Sequence, residues 1–259
     1  MLRGLIHPSS GYIRVAGCLP QNRQEKFLKE ITLVMGQKQQ LIWDLPPMDS
    51  LQVNAAVYGI PERESMKRIY ELAEMLEIGK ELNRPVRKLS LGQRMKAELL
   101  ASLIHNPSVL FLDEPTLGLD VNAQSRVRSF LSEYNKRTGA TILLTSHYMA
   151  DIIALCPRVL CIHKGEIIYN GELDLLSSKL RPKREICLEL KSQLNYALFE
   201  KYGEVKEING RFIRLLVSRN ELIPIVNKLL LEFEIIDLEI NDPPIDEVIG
   251  NIFRKGEVS

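Results

Sequence analysis

The spacing of apolar positions changes along the chain, and these changes predict alternating strands and helices. Two near-continuous apolar runs, VLFL (109–112) and TILLTS (141–146), flank a stretch with helical spacing over 122–137. Strands that are buried on both faces have such runs, so we predict a parallel βαβ sheet. ITLVM (31–35) and YIRVA (12–16), each followed by a glycine, are predicted to be further short strands.

Helical spacing also appears upstream of these two runs. Over 61–78, apolar residues recur at intervals of three and four with Glu and Lys between them, which predicts an amphipathic helix. A second helix is predicted over 91–105, and Asn106–Pro107 ends it. The positions expected to pack this second helix are Met95, Leu99, Leu100 and Leu103.

The last third of the chain has a different pattern. RVLCIHKGEIIYNG (158–171) predicts a hairpin that turns at Lys164–Gly165. The segment 177–185 is polar and basic, so we divide the chain into an α/β domain over 1–178 and a small α+β module over 185–259. In the module, strand and helix patterns follow one another in β-α-β-β-α-β order, which predicts a ferredoxin-like arrangement.

Composition narrows the possible partners. The net charge is +1, from 34 basic and 33 acidic residues, so no electrostatic footprint for nucleic acid is present. The four cysteines lack CxxC spacing, which argues against zinc and against a disulfide framework. No apolar run reaches the roughly 18–20 residues that span a bilayer. Any role at a membrane is therefore expected to come through a partner.

Two adjacent acids, Asp113 and Glu114, follow the VLFL strand directly. Ligands of parallel sheets bind beyond the carboxyl ends of the strands, where Asp113 could hold Mg²⁺ and Glu114 could activate a water. Taken alone, such a pair more often only opens a loop. The second buried strand, however, ends in TSH with His147, and an imidazole there can hydrogen-bond a terminal phosphate.

LSLGQ (89–93) opens the predicted helix over 91–105. Ser90 and Gln93 have the spacing of a capping box, which is a purely structural interpretation. The same helix start, with a hydroxyl and the glycine Gly92, is also a favourable anion site. The residues alone leave both interpretations open. Gln37, which follows the strand 31–35 in a polar loop, has no meaning by itself.

Together these segments resemble one family, the ATP-binding subunits of ABC transporters. VMGQ resembles the Q-loop, LSLGQ the signature sequence, VLFLDE the Walker B strand, LGLD the D-loop and TSH the switch-histidine strand. These motifs follow one another along the chain in the family's order. The resemblance covers about residues 1–175 and implies a P-loop NTPase-like parallel sheet with a helical signature subdomain. The closing DPPIDEVIGNIF (242–253) is more weakly similar to the tails of exporter-type subunits.

The resemblance implies that ATP and Mg²⁺ are the ligands of this sheet edge. It implies that Asp113 supports the Mg²⁺ and that Glu114 is the general base. His147 is then expected to contact the γ-phosphate. Gln37 is expected to couple the metal and the attacking water to the transmembrane partner.

A second group of residues is expected to serve the ATP of a neighbouring subunit. The resemblance implies that Ser90, Gly92 and Gln93 bind the γ-phosphate of ATP held by that subunit, and that Asp120 helps to close the dimer interface. Leu91 departs from the commonest signature, which has glycine there. The departure leaves Ser90 and Gly92 in place, but it could change how closely this loop approaches a phosphate.

The implied function is to hydrolyse ATP and so to energise an ABC transporter, which we expect to be an exporter. The expected partners are a second ATP-binding subunit, identical or paralogous, and separate transmembrane permease subunits. The expected location is cytoplasmic, on the inner face of the plasma membrane. One alternative is a related ATPase of nucleic-acid or translation work, which usually has tandem heads, coiled-coil insertions and basic surfaces. Another is a non-catalytic interaction subunit.

The second alternative arises because no G-x-x-x-x-G-K-[ST] phosphate loop occurs in the 259 residues. Gly79–Lys80 is the only Gly-Lys pair, and Glu74 stands where the first glycine of the loop would be. In the family this loop opens a helix, and residues 1–11 resemble the end of that helix. Either the start was assigned to an internal Met, which we favour, or the subunit is degenerate. We expect residues 1–259 alone to bind no ATP.

Overall fold

The computed structural model describes residues 1–36, 40–180, 183–192 and 198–242, with only the backbone of 177–180. The chain divides into two compact units, Met1–Leu155 and Cys156–Ser259. The domain limits predicted from composition, 1–178 and 185–259, stay a prediction. No helix within the described ranges is long and apolar enough to cross a membrane.

Helices and strands alternate in the first unit as the apolar spacing predicts. In chain order its described elements are α1 (Glu25–Glu30), β1 (Ile31–Met35), α2 (Pro47–Val57), α3 (Glu62–Met75), α4 (Leu91–Leu103), β2 (Val109–Asp113), α5 (Val121–Thr138), β3 (Thr141–Thr145) and α6 (Met149–Leu155). The predictions of two helices before the VLFL strand and of a helix between VLFL and TILLTS are confirmed. The expected burial of TILLTS on both faces is wrong: Thr141, Leu143 and Thr145 of β3 are exposed, and Leu143 is 42% exposed. β3 is an outer strand of the described sheet, and one of its faces is open.

The three strands form a parallel sheet in the order β1-β2-β3. Asp113 ends β2 and lies in register between Met35 of β1 and Thr145 of β3. The predicted parallel βαβ unit is therefore confirmed. Because all three strands run the same way, their carboxyl ends meet at one edge, and the acid pair lies there.

Helix α4 packs along the core of this unit through the apolar positions expected from its spacing. Met95, Leu99, Leu100 and Leu103 are all buried. Helix α5 has a defined start and stop: Asp120 is its N-cap, and Gly139 follows it with a φ of 67°. Glycine adopts this left-handed conformation at little cost, which ends the helix and feeds the chain into β3.

Two predictions about the first residues are wrong. Residues 12–16 form no strand, because within the described chain Val15 makes only one isolated bridge, to Cys18. A strand needs a neighbouring strand to satisfy its backbone groups, and this segment has none. Residues 1–11 contain turns and bends instead of the end of a helix. Gly4 has a φ of 73°, which interrupts a right-handed helix.

The second unit contains a hairpin and a four-stranded sheet. Its described elements are β4 (Arg158–His163), β5 (Glu166–Glu172), α7 (Leu173–Leu180), β6 (Lys183–Leu190), β7 (Glu204–Asn209), β8 (Phe212–Ser218), α8 (Leu222–Glu232) and β9 (Ile235–Asn241). β4 and β5 pair antiparallel, so the predicted hairpin is confirmed.

The larger sheet has the order β7-β8-β6-β9, and each neighbouring pair is antiparallel. Side chains of its inner face, such as Ile186, Leu188 and Leu215, are buried in a separate core with Leu229 of α8. The helix predicted near 194–202 falls partly outside the described residues. The same holds for all but the first residue of DPPIDEVIGNIF.

Candidate functional site

Asp113 lies at the sheet edge, where one of its carboxylate oxygens accepts a hydrogen bond and the other accepts none within the described chain. The Thr145 hydroxyl donates to Asp113 Oδ1 over 2.6 Å. Within the described chain, Oδ2 has no hydrogen-bond partner, and the residue is exposed. Mg²⁺ in nucleotide sites usually takes one or two carboxylates together with waters and phosphate oxygens, so this carboxylate fits such an ion. The sequence pattern indicates Thr145 only as a strand residue and does not indicate its hydrogen bond to Asp113.

Glu114 turns the chain sharply at the end of β2. It has a φ of 52°, in the left-handed region that residues with a side chain rarely adopt. Its backbone N–H donates to the Thr145 carbonyl over 3.0 Å. Gly36 packs against this turn so closely that a Cβ built there would overlap the Glu114 carbonyl oxygen. Glycine is required at position 36 for that reason.

The Glu114 side chain contacts His147 at the sheet edge. The His147 backbone N–H donates to Glu114 Oε2 over 3.0 Å, and His147 Nε2 lies 3.4 Å from Glu114 Oε1. The Glu114 side chain is 18% exposed, whereas that of His147 is 80% exposed. The carboxylate is therefore oriented by the protein, and the imidazole faces solvent beside it.

A buried acid, Asp151, ties the loops of this pair together. Its side chain is 0% exposed and forms an ion pair with Arg128 Nη1 of α5 over 2.9 Å. The Ser146 hydroxyl donates to Asp151 Oδ2 over 2.7 Å, and the Thr116 hydroxyl donates to the same oxygen. Thr116 follows Glu114 by two residues and Ser146 precedes His147. Nothing in the sequence pattern distinguished Asp151, an isolated acid on a short helix.

The start of α4 is capped by its own signature residues. Gln93 N–H donates to Ser90 Oγ over 3.2 Å, and Ser90 N–H donates to Gln93 Oε1 over 3.0 Å. This is the capping box that the spacing predicted. Gln93 Nε2 also donates to Glu81 Oε1 over 3.0 Å, which fixes the amide in one orientation.

The starts of α4 and α5 lie side by side. A Cβ on Gly92 would come within 3.0 Å of Ala123 Cβ, and a Cβ on Gly118 within 3.3 Å of Leu91 Cδ2. Asp120 accepts the N–H of Ala123 over 2.9 Å and so caps α5. The LSLGQ and LGLD segments therefore form one surface made of two helix N-termini.

The predicted site residues thus fall into two groups within the first unit. Asp113, Glu114 and His147 share the sheet edge, whereas Ser90, Gly92, Gln93 and Asp120 share the two helix starts. In the described part of the chain, no hydrogen bond or ion pair joins a side chain of one group to the other. Gln37 lies outside the described residues.

Comparison with known proteins identifies the family. The ABC transporter ATP-binding protein NatA of Bacillus subtilis is 34% identical over 176 residues, which are 68% of this chain and 71% of that protein. The chain belongs to the ATP-binding subunits of ABC transporters. It is the energy-supplying ATPase component of such a transporter, as the motifs predicted.

Other similarities agree with this family. The linearmycin resistance ATP-binding protein LnrL of B. subtilis is 27% identical over 97% of this chain and 83% of its own length. A methionine import ATP-binding protein, MetN 2 of Bacillus licheniformis, is 28% identical over 93% of this chain and 72% of its own length. A family model for the C-terminal domain of EvrA-like ABC transporters matches residues 182–241. A second family model, described as an AAA domain, putative AbiEii toxin, Type IV TA system, matches residues 23–149.

The fold is shared with solved ABC structures. CbiO1 from Clostridium perfringens, described as part of the ABC transporter complex cbiONQ, has a TM-score of 0.62 at 26% identity. The match covers 68% of this chain and 72% of CbiO1. The predicted α/β fold of this ABC subunit is therefore confirmed.

Proposed function

We propose that this ABC subunit hydrolyses ATP at the carboxyl edge of the β1-β2-β3 sheet with Glu114 as the general base. The observation that carries the proposal is the Glu114–His147 pair, held by a hydrogen bond of 3.0 Å, directly after Asp113. A bare acid pair at a loop would leave Glu114 unoriented. Here both of its oxygens face His147, and its backbone is fixed to β3.

Each residue has a distinct task in this proposal. Asp113 supports Mg²⁺ through its open oxygen, and the ion when bound supplies charge stabilisation for the phosphates. Glu114 accepts the proton of the attacking water. His147 donates a hydrogen bond toward the γ-phosphate and keeps the Glu114 carboxylate in place. Gln37 is proposed to contact both the metal and the water.

We assign the second group of residues to the ATP of a partner subunit. Ser90, Gly92 and Gln93 lie at a helix N-terminus, where backbone N–H groups and the helix dipole favour an anion. In the described chain, no hydrogen bond or ion pair joins the side chains of this surface to those of the Glu114 group, which supports assigning them to a different nucleotide. Asp120 caps the adjacent helix and closes the same surface.

The proposed assembly contains two ATP-binding subunits and separate permease subunits, without nucleic acid. We place the chain at the cytoplasmic face of the plasma membrane through those permeases. We favour export, because LnrL is named for resistance and spans 97% of this chain. MetN 2 is named for import, so a transport assay has to decide the direction.

The test is ATP turnover by the native transporter complex. We expect Glu114→Gln to lower turnover about 10²–10⁴-fold, which is the usual contribution of a positioned base. Glu133→Gln, at an exposed glutamate of α5, is the matched control and should leave turnover unchanged. Wild-type turnover in the Glu114→Gln complex would remove Glu114 from the general-base role.

A further inference from the structure

One carboxylate on α4 binds the backbone of the chain just after Gln37. The N–H of Gln40 donates to Glu98 Oε2 over 2.9 Å and to Oε1 over 3.1 Å. The N–H of Leu41 donates to Glu98 Oε1 over 3.3 Å. The two partners are 57 and 58 residues away from Glu98 in sequence, so the contact joins distant parts of the first unit.

Glu98 is an unusual residue for its position. It is only 5% exposed and lies in the part of α4, Met95 to Leu103, in which every residue is buried. Burial raises the pKa of this carboxyl, while the N–H groups of Gln40 and Leu41 and the charge of Arg94 act in the opposite direction. A carboxylate this buried requires donors, and here the donors are backbone groups of the segment it holds.

Other contacts hold the same segment. The guanidinium of Arg94 lies 5.3 Å from the centre of the Trp43 ring, within cation–π range. The N–H of Ile42 donates to Ser50 Oγ over 3.1 Å. The N–H of Arg87 donates to the Trp43 carbonyl over 3.0 Å, which joins the segment to the residues before LSLGQ.

The geometry of α4 relates these contacts to the signature. Ser90, Arg94 and Glu98 are four residues apart, and residues at that spacing lie on one face of a helix. The face of α4 that carries Arg94 and Glu98 is therefore the face that holds residues 40–43, in the helix that Ser90 caps. Glu98 is the buried member of this set and contributes the charge-assisted bonds.

We propose that Glu98 is a positioning residue that fastens the chain following Gln37 to the signature helix α4. This role rests on the proposed function, because it matters only if Gln37 and the signature both serve ATP. Through it, residues 40–41 and helix α4 keep a fixed relation within one subunit. Glu98 itself touches neither nucleotide.

The first arm of the test is hydrogen–deuterium exchange in the native transporter complex. Glu98→Ala removes the acceptor, and Glu98→Gln keeps the shape but loses the charge. We expect the amides of Gln40 and Leu41 to exchange roughly tenfold faster or more in Glu98→Ala, with a smaller change in Glu98→Gln. Amides in the middle of α5 should not change. Glu71→Gln, at a largely exposed carboxylate of α3, is the control.

The second arm is ATP turnover by the same complexes. We expect kcat to fall roughly 10- to 100-fold in Glu98→Ala while KM for ATP stays within about twofold, because positioning changes and binding contacts do not. Glu98→Gln should recover part of kcat. A general loss of folded protein would instead speed exchange throughout the first unit, including the middle of α5.

Two results would overturn the proposal. Unchanged exchange at Gln40 and Leu41 would show that Glu98 does not hold the segment. Faster exchange with wild-type kcat would show that the link has no role in turnover. Failure of the proposed function has a different signature, since Glu114→Gln would then also leave turnover unchanged.

Discussion

Asp151 offers the most demanding test of how the first unit is held together. In Asp151→Ala, the Arg128 guanidinium, 18% exposed, loses its ion-pair partner, and the fully buried Thr116 loses its acceptor. Removing one member of a buried pair typically costs about 3–5 kcal/mol. Because Arg128 retains some access to water, we expect the lower part of that range, about 3 kcal/mol.

The assay is urea unfolding followed by the fluorescence of Trp43, the only tryptophan and a residue of the first unit. The m-value should stay unchanged, so that the shift in midpoint reports stability. Glu133→Ala is the matched control, because its partner Arg137 is 61% exposed and such pairs contribute less than about 1 kcal/mol. A loss below about 1 kcal/mol in Asp151→Ala would refute the reasoning.

Three further predictions concern single side chains. Burial lowers the pKa of His105, so the unfolded chain takes up the proton first as pH drops below about 6.5, and the free energy of unfolding should fall. In urea titrations at several pH values, His105→Gln should flatten this pH dependence. The Tyr134 hydroxyl is buried without a hydrogen-bond partner in the described chain, and burial raises its pKa to about 12. Tyr134→Phe should therefore stabilise the protein against unfolding by up to about 1 kcal/mol, and destabilisation of that size would contradict this interpretation. In the native transporter subunit, Ser90→Arg should leave ATP affinity intact and abolish ATP-driven association with the partner subunit in light scattering. Ser90→Ala, which loses the same cap, should reduce association less.

The sheet edge could be predicted from sequence because each of its parts has a local signal. The runs VLFL and TILLTS predict two parallel strands, and the polar residues that end parallel strands meet at one edge. The expected burial of TILLTS on both faces was not needed for this and is wrong. Asp113, Glu114 and His147 were found in this way. Ser90 and Gln93 were found from their capping-box spacing, which the structure confirms.

The residues that the sequence did not reveal act through distant contacts. Asp151 and Glu98 look like ordinary helix acids, and their partners lie up to 58 residues away. The segment 12–16 fails in the opposite way, because its strand-like composition has no neighbouring strand with which to pair. Local patterns therefore predicted the elements and the site, but not the buried acids that hold their loops.

Trapping of nucleotide by the Glu114→Gln complex tests the central claim most directly. The complex is incubated with Mg²⁺ and ATP, free nucleotide is removed, and the retained nucleotide is identified by chromatography. With the base removed but the binding surfaces intact, we predict that unhydrolysed ATP is retained in a stable complex of two ATP-binding subunits. If the retained nucleotide is ADP, and the variant forms ADP as fast as the wild type, the account is contradicted, because another group would then be activating the water.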